Sequence, residues 1–345
     1  MITEAQVRQA LSTVKYPGFS RDIISFSLVK GIVIEGARVG ILVEVTTSDA
    51  SVPARLKADI TTAVQALPGV DSVEADIRVT SPVKAVGDGA LVQSIPGIRH
   101  IVAVASGKGG VGKSTVAANL AAALAAQGLK TGLLDCDLYG PSIGLMFGTT
   151  ERPTVTEDER INPLIRHGLK LMSMSFLIDE DAPVILRGPM VTRYTQQFLR
   201  QVNWGDLDIL VLDLPPGTGD IQLTIVQTVA LTGAVIVTTP QEVALIDARK
   251  AVRMFEKVNV PILGLVENMS HFVCPSDGIS YPIFGEGGGK REAERLRVPL
   301  LGQIPIHMET RQAGDEGCPI TLHSPEHPAS RAFQSTASAL LPRLG

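Results

Sequence analysis

The chain is poor in aromatic residues, in charge and in long hydrophobic runs. Aromatic residues make up 4% of its 345 positions and charged residues 19%. Lysine and arginine number 31 against 35 acidic residues, so the formal net charge is −4 at pH 7. A mildly acidic chain without a basic tract lacks the charge that displaces counterions from polyanions. We therefore expect no nucleic-acid partner.

Cysteine is also scarce. Cys136, Cys274 and Cys318 are the only three, and an odd, widely spaced set argues against a disulfide framework. No uninterrupted apolar run reaches about 18 residues, and the start MITEAQVRQA lacks a basic-then-apolar signal. The sequence predicts a cytoplasmic protein with reduced thiols and no membrane partner. Three thiols are few for a protein that binds metal alone.

The first 80 residues predict a small α+β unit. Apolar periodicity indicates helices over 3–14 and 52–67, and strands over 31–35, 38–46 and 72–79. Residues 81–97 mix proline, glycine and small residues without periodicity, which is typical of a linker.

Residues 98–345 predict an α/β domain. Short runs that are apolar on both faces recur between helical patterns, as in parallel strands covered by helices. The predicted strands are 101–105, 131–135, 169–174, 209–213, 234–239, 262–267 and 300–304, and the predicted helices are 113–127, 222–231, 242–258 and 290–297. Their natural assembly is a doubly wound, mostly parallel sheet that binds ligands at the carboxyl ends of its strands.

A phosphate-binding loop follows the first of these strands. Gly107, Gly112, Lys113 and Ser114 satisfy G-x-x-x-x-G-K-[ST] between a strand and a helix. The glycines let backbone N–H groups converge on phosphate oxygens, while Lys113 reaches the β- and γ-phosphates and Ser114 binds Mg²⁺. The sequence predicts that ATP is bound by residues Gly107, Lys108, Gly109, Gly110, Val111, Gly112, Lys113, Ser114 and Thr115.

A strand-end carboxylate is available for Mg²⁺. Asp213 ends the apolar run 209–213, where it can hold the ion through water. The alternative is that Asp213 merely caps its strand.

The string GKGGVGKS resembles the deviant P-loop of the MinD/ParA/nitrogenase-iron-protein ATPases. This resemblance implies a homodimer in which Lys108 contacts the nucleotide of the partner. It also implies that Asp137 activates the attacking water, that Asp135 lies near the metal and that Asn268 contacts adenine. One of the two aspartates could instead cap the turn that follows them.

Eight further strings, in order over residues 98–345, closely resemble the Mrp/ApbC-type iron–sulfur cluster carrier ATPases. They are VASGKGGVGKSTVAANLA, LLDCDLYGPSI, RGPM, LVLDLPPGTGD, TTPQEVAL, GLVENMSHFVCP, IFGEGGG and GQIPI. Residues 1–80 resemble the iron–sulfur assembly domain often fused ahead of them, through RDIISFSLV and LPGVDSV. The resemblance implies a homodimer that holds a labile cluster, commonly [4Fe–4S], between subunits and hands it from an assembly scaffold to apo-proteins.

The expected thiols are incomplete. The family usually supplies a C-x-x-C pair from each chain, whereas here Cys274 is followed by Asp277 at the second position. Ser51 stands where the small domain often carries cysteine, and residues 16–18 read Tyr-Pro-Gly where Asp-Pro-Glu is usual. Two chains would then offer two sulfurs at this site.

Three roles remain open for Cys274. It is a buried small side chain, a cluster ligand completed by Asp277, Cys318 or a small thiol, or a redox-sensitive thiol. His271 has a spacing to Cys274 compatible with metal binding, but a lone histidine is usually only polar surface. The other five histidines form no cluster in sequence: His100, His167, His307, His323 and His327.

The leading hypothesis from the sequence is an ATP-hydrolysing iron–sulfur cluster carrier. The alternatives are a MinD/ParA-like positioning or scaffolding ATPase and an ATPase that inserts another metal. Against positioning on a membrane, the C-terminal residues 330–345 form no clearly basic amphipathic helix.

Overall fold

The chain divides into two compact units, Met1–Leu91 and Val92–Gly345. The computed structural model describes residues 2–15, 22–24, 28–46, 51–80, 94–177 and 188–345. Most of the predicted linker, together with residues 16–18, lies outside the described residues, so the linker bounds stay a prediction. Within the described residues, every helix is too short or too polar to span a membrane.

The smaller unit is a three-stranded sheet with two helices. Its elements are α1 (Glu4–Leu11), β1 (Val29–Glu35), β2 (Arg38–Thr46), α2 (Ser51–Gln65) and β3 (Ser72–Thr80). β2 is central, antiparallel to β1 and parallel to β3. All five predicted elements are present, and none of their ends is shifted by more than three residues.

Alternation along β2 and the helical period of α2 build the core of this unit. Every second residue of β2 faces inward and is buried, and α2 buries residues at every fourth position. These buried side chains are Val39, Ile41, Val43, Val45, Val52, Leu56, Ile60 and Val64. Thr3 starts α1 with a capping box, in which its hydroxyl accepts from Gln6 N and the Gln6 side chain accepts from Thr3 N.

The larger unit contains a nine-stranded sheet. Its strands are β4 (Ile98–Ala105), β5 (Thr131–Asp135), β6 (Leu164–Arg166), β7 (Leu169–Met172), β8 (Leu207–Asp213), β9 (Gly233–Thr238), β10 (Ile262–Val273), β11 (Ser280–Tyr281) and β12 (Leu300–Ile306). The spatial order is β6-β7-β5-β8-β4-β9-β10-β12, with β11 paired to the end of β10. Only the β6–β7 and β10–β11 pairings are antiparallel. The predicted mostly parallel α/β sheet is confirmed.

The described residues of this unit also contain nine α-helices. They are α3 (Lys113–Ala126), α4 (Ile143–Met146), α5 (Gly188–Gln201), α6 (Asp220–Thr228), α7 (Glu242–Lys257), α8 (Gly288–Leu296), α9 (Met308–Asp315), α10 (Ile320–His323) and α11 (Pro328–Leu340). Short 3₁₀ turns cover Met174–Phe176 and Leu341–Arg343.

Several strand ends differ from the sequence prediction, and two of them show the physical reason. The strand predicted over 169–174 ends at Met172, because the Ser173 side chain accepts from Ser175 N and starts the 3₁₀ turn. β10 continues to Val273, beyond the predicted end at 267, because its last residues pair with β11 and β12. A local side-chain hydrogen bond therefore sets the end of β7, whereas tertiary pairing, which local periodicity does not report, sets the end of β10.

The C-terminal helices are held to α3 by apolar packing and by a buried amide. Asn119 Oδ1 accepts from Thr321 N at 3.1 Å and from Thr321 Oγ1 at 3.0 Å, while Asn119 Nδ2 donates to Thr115 O at 2.9 Å. Phe333, in α11, is fully buried in the same core. The C-terminal segment therefore completes the domain.

Replacing Phe333 by alanine tests this role of α11. We expect Phe333→Ala to lower the free energy of unfolding by about 3–5 kcal/mol, because it removes a large side chain from a closed core. The measurement is urea unfolding followed by fluorescence of Trp204, the single tryptophan, which is 1% exposed and reports the larger unit alone. As the control, Ile165→Ala alters a side chain that is 69% exposed, and a comparable loss there would contradict the assignment.

Candidate functional site

The phosphate-binding loop joins β4 to α3 and needs glycine for two separate reasons. Gly110 and Gly112 have φ of +81° and +75°, a region that favours glycine. Gly107 has ordinary dihedrals, but a Cβ there would lie 2.0 Å from the Asp247 carbonyl oxygen on α7. Because Gly112 has no side chain, it leaves the first N–H groups of α3 uncapped and available to an anion.

A buried ion pair connects this loop to the end of β8. Lys113 Nζ contacts Asp213 Oδ1, and their side chains are 6% and 0% exposed. Ser114 Oγ lies 3.2 Å from the same Nζ. Burial raises the pKa of Asp213 although Lys113 opposes the rise, and Asp213 Oδ2 has no hydrogen-bond partner among the described residues. The site therefore holds one unsatisfied carboxylate oxygen beside Lys113 and Ser114.

Asp135 lies across the β5–β8 ladder from Asp213 and is saturated with hydrogen bonds. Its carboxylate accepts from Asp137 N at 3.0 Å, Ser142 N at 2.9 Å, Ile143 N at 3.2 Å and Ser173 Oγ at 3.1 Å. Burial and then the neighbouring Asp213 raise its pKa to about 7. Asp135 thus holds the turn between β5 and α4 in place.

Asp137 caps the same turn from its other side. Its Oδ1 accepts from Tyr139 N at 3.3 Å and from Gly140 N at 3.2 Å. The turn-capping alternative for these aspartates therefore applies to both of them. The hydrolytic role of Asp137 and the metal role of Asp135 stay predictions.

Asn268 packs directly onto the phosphate loop. Its Nδ2 donates to Val111 O at 2.9 Å, and a Cβ on Gly112 would come within 2.2 Å of the same nitrogen. Beside it lies a cavity of about 500 Å³, lined in part by Thr115, Met269 and Ile306. The cavity suits a nucleobase next to a phosphate loop. Adenine contact by Asn268 stays a prediction, because its amide already donates to the loop.

Lys108 is half-buried in the loop, and the Ser106 hydroxyl donates to its carbonyl oxygen at 2.8 Å. The adjoining first turns of α7 expose two large apolar side chains, Val243 at 64% and Ile246 at 42%. Gly107 meets the backbone of this same helix. Lys108 therefore directly follows a residue that meets α7, the helix that exposes these two apolar side chains.

Cys274 lies in the turn between β10 and β11, and its thiol is 3.0 Å from Ser276 Oγ. In the same turn, Asp277 Oδ1 accepts from Ile279 N at 2.8 Å and Oδ2 accepts from Tyr281 OH at 2.9 Å. The hydrogen bond from Ser276 lowers the pKa of Cys274, whereas burial raises the pKa of both Cys136 and Cys318. Cys274 is only partly buried, which disfavours the buried-side-chain interpretation.

One chain does not assemble a complete metal site around Cys274 from its described residues. Among the described residues, one group of three or more His, Cys, Asp or Glu side chains is close enough to hold a metal ion. It consists of His307, Glu309 and His327 and does not include Cys274. The sequence separates these two histidines, and no motif indicated their approach. Any multi-ligand site at Cys274 thus needs ligands from elsewhere.

Comparison with known proteins identifies the family. The family described as NUBPL iron-transfer P-loop NTPase matches residues 97–341, and the iron–sulfur cluster assembly protein family matches residues 4–77. This chain is a member of the iron-transfer P-loop NTPase family. Its ATPase class and its relationship to the iron–sulfur cluster carriers are confirmed.

Relatives support this membership over nearly the whole chain. An iron–sulfur cluster carrier protein of Deinococcus radiodurans is 46% identical over 333 residues, covering 96% of this chain and 93% of the relative. The iron–sulfur cluster transfer protein NUBPL of Dictyostelium discoideum is 50% identical over 253 residues, covering 73% of this chain and 78% of the relative.

Solved structures support the fold of the larger unit. A nucleotide-binding protein of Archaeoglobus fulgidus, in complex with ADP, is 39% identical with a TM-score of 0.60, covering 68% of this chain and 92% of the other. The cell-division ATPase MinD of Pyrococcus furiosus has a TM-score of 0.55 at 22% identity, covering 70% and 98%, which supports the shared fold alone.

The lowered pKa of Cys274 predicts selective alkylation. In the apo-protein at pH 7, iodoacetamide should modify Cys274 well before Cys136 and Cys318, because the thiolate is the reactive form. Ser276→Ala should slow the reaction and move its pH midpoint upward, since it removes the largest cause of the lowered pKa. Peptide mass spectrometry over a pH series measures both. Equal rates at the three cysteines would contradict the prediction.

Proposed function

We propose that this chain is an ATP-hydrolysing iron–sulfur cluster carrier that works as a cytoplasmic homodimer. It receives a labile cluster, of the [4Fe–4S] type, from an assembly scaffold and transfers it to apo-proteins. The observation that carries the proposal is the partly exposed thiol of Cys274, whose pKa is lowered and which directly follows β10 of the sheet that bears the phosphate loop. Family membership supports the same function.

The loop residues from Gly107 to Thr115 cradle the ATP phosphates with their N–H groups. In the structure, Lys113 has Asp213 as its anionic partner. When ATP binds, Lys113 exchanges this carboxylate for the β- and γ-phosphates, which leaves Asp213 without a counter-charge. The unsatisfied Asp213 Oδ2 and the neighbouring Ser114 hydroxyl then suit Mg²⁺, a cation that prefers oxygen ligands. Bound Mg²⁺ supplies positive charge for the phosphate oxygens.

The aspartate turn supplies the hydrolytic geometry. Asp137 is the group that orients the attacking water, and Asp135 supports it through the hydrogen bond from Asp137 N. Asp135 also faces Asp213 across the sheet, so it belongs to the surroundings of the metal. Asn268 positions the loop at the base cavity, where its Oδ1 is the candidate contact for adenine.

Dimerisation brings together what one chain lacks. Lys108 contacts the phosphates bound by the partner subunit, with Val243 and Ile246 contributing apolar contact area. In the dimer, the β10–β11 hairpin of each subunit supplies one Cys274 thiolate. Soft thiolates are the ligands that iron–sulfur clusters require. Hydrogen bonds from the Ile279 N–H and the Tyr281 OH hold the pKa of Asp277 below its ordinary value. Asp277 therefore offers an ionised carboxylate in the same turn as each thiol.

The two P-loop lysines separate nucleotide binding from dimer-dependent hydrolysis. Lys108→Ala should retain binding of a fluorescent ATP analogue and lose hydrolysis by about tenfold or more, since a charge supplied across an interface stabilises the transition state. Lys113→Ala should lose binding itself, because it removes the phosphate contact and leaves Asp213 buried without a partner. Hydrolysis by Lys108→Ala at the parent rate would contradict a dimer in which Lys108 contacts the nucleotide of the partner subunit.

Anaerobic reconstitution tests the carrier role. With iron and sulfide, the parent should form a dimer with the visible charge-transfer absorbance of a cluster, and iron and sulfide analysis should give about four of each per dimer. Cys274→Ala should abolish the absorbance, whereas Cys318→Ala, which alters a thiol of raised pKa, should retain it. A parent that binds no cluster, or a Cys274→Ala variant that binds it equally, would overturn the proposal while leaving the ATPase intact.

A further inference from the structure

Three metal-binding side chains meet at the N-terminal ends of two helices, outside the phosphate loop. His307 directly precedes α9, Glu309 lies in the first turn of α9, and His327 directly precedes α11. Glu309 Oε2 is 3.9 Å from His307 Nδ1 and 4.0 Å from His327 Nε2. The two imidazole rings meet edge to face, with centroids 4.7 Å apart. The fold thus gathers two nitrogens and one carboxylate in one place.

His307 has no hydrogen bond that explains its burial. Its side chain is 12% exposed, and Nε2 is buried without a partner among the described residues. Its Nδ1 lies too far from Glu309 for a hydrogen bond. Nearly all buried polar groups in native proteins are paired, and an exception often marks an ion or water that completes the site. The ring thus has one nitrogen toward Glu309, Nδ1, and one buried nitrogen without a partner among the described residues, Nε2.

We propose that His307, Glu309 and His327 form a binding site for one divalent transition-metal ion. Two imidazole nitrogens and a carboxylate oxygen suit Zn²⁺ or Co²⁺ better than Mg²⁺ or Ca²⁺, which prefer oxygen ligands alone. Three protein ligands also leave a fourth position for water or another ligand. The three ligands do not include Cys274, and the proposal does not depend on the cluster-carrier function.

The three ligand atoms need to move only slightly closer together to coordinate such an ion. Ligand atoms within 4.8 Å of one another place a central ion about 2.8 Å or less from each, against about 2.0–2.2 Å in zinc sites. Glu309 is 53% exposed and has room to move inward. The closure therefore requires side-chain movement of less than about 1 Å.

Binding exchanges one hydrogen bond for a coordinate bond. His327 Nδ1 accepts from Ala329 N at 3.2 Å, so the ring proton resides on Nε2, which faces Glu309. A metal ion replaces that Nε2 proton, the ring takes its proton on Nδ1, and the cap to Ala329 is lost. One N-cap is a small cost beside metal coordination. The ion then joins the starts of α9 and α11, and His307 also lines the cavity beside Asn268.

Cobalt titration tests the site without relying on ATPase activity. The protein is prepared without an affinity tag or nucleotide and carries Cys274→Ala, so that thiol ligation does not contribute. We expect one equivalent of Co²⁺ to bind with visible d–d absorption. Glu309→Gln and His327→Asn should each weaken binding at least tenfold. Glutamine preserves the shape of Glu309, and asparagine is itself a good N-cap, so both variants should stay folded.

The matched control is a second histidine–carboxylate pair in the same region. His323 Nε2 lies 4.0 Å from Glu316 Oε2 but belongs to no three-ligand group among the described residues. His323→Asn and Glu316→Gln should leave cobalt affinity unchanged. Zn²⁺ should raise the thermal unfolding midpoint of the parent and of these controls, but not that of Glu309→Gln.

Two results would overturn the site. One is equal Co²⁺ affinity and spectrum in the parent, Glu309→Gln and His327→Asn. The other is absence of saturable Co²⁺ binding up to millimolar concentration in a folded parent.

Discussion

The buried ion pair between Lys113 and Asp213 joins the phosphate loop to the centre of the sheet. Burying two charges is costly unless each neutralises the other, so the two side chains hold the start of α3 against the end of β8. Asp135 lies on the neighbouring strand. Its pKa is raised because its carboxylate is buried and lies close to the negative charge of Asp213. The geometry of the phosphate site follows from this electrostatic balance.

The same balance suggests how nucleotide binding could be communicated. In the proposed function, ATP brings phosphate to Lys113 and thereby removes the counter-charge of Asp213. Asp135 holds the β5–α4 turn and faces Asp213 across the β5–β8 ladder. In this arrangement, a change in the charge balance at Asp213 acts through Asp135 on the turn that carries Asp137. The Cys274 hairpin extends from β10, whose Asn268 touches the phosphate loop. Loop, turn and hairpin are therefore connected by short, rigid elements.

Much of this arrangement could be predicted from sequence because its causes are local. The apolar runs marked the central strands, and the glycine–lysine–serine spacing located the phosphate loop. The sequence did not predict the extension of β10 or the helices at the C-terminus, because long-range pairing and burial stabilise them. Both aspartates of the Asp135–Asp137 turn accept from backbone N–H groups, whereas the sequence offered turn capping only as an alternative role for one of them. The loop fold that satisfies both carboxylates is not visible in the motif.

The thiols illustrate the remaining division. The sequence by itself determined that Cys274 has no second cysteine at the usual spacing, because that is a matter of composition. Only the tertiary structure decided that its thiol is partly exposed and that its pKa is lowered, since the thiol and the Ser276 hydroxyl are hydrogen-bonded within one turn. Likewise, sequence separates His307 from His327, and only the tertiary fold, which places the starts of α9 and α11 near each other, brings the rings together. Local motifs specify chemistry, whereas burial and distance are properties of the folded chain.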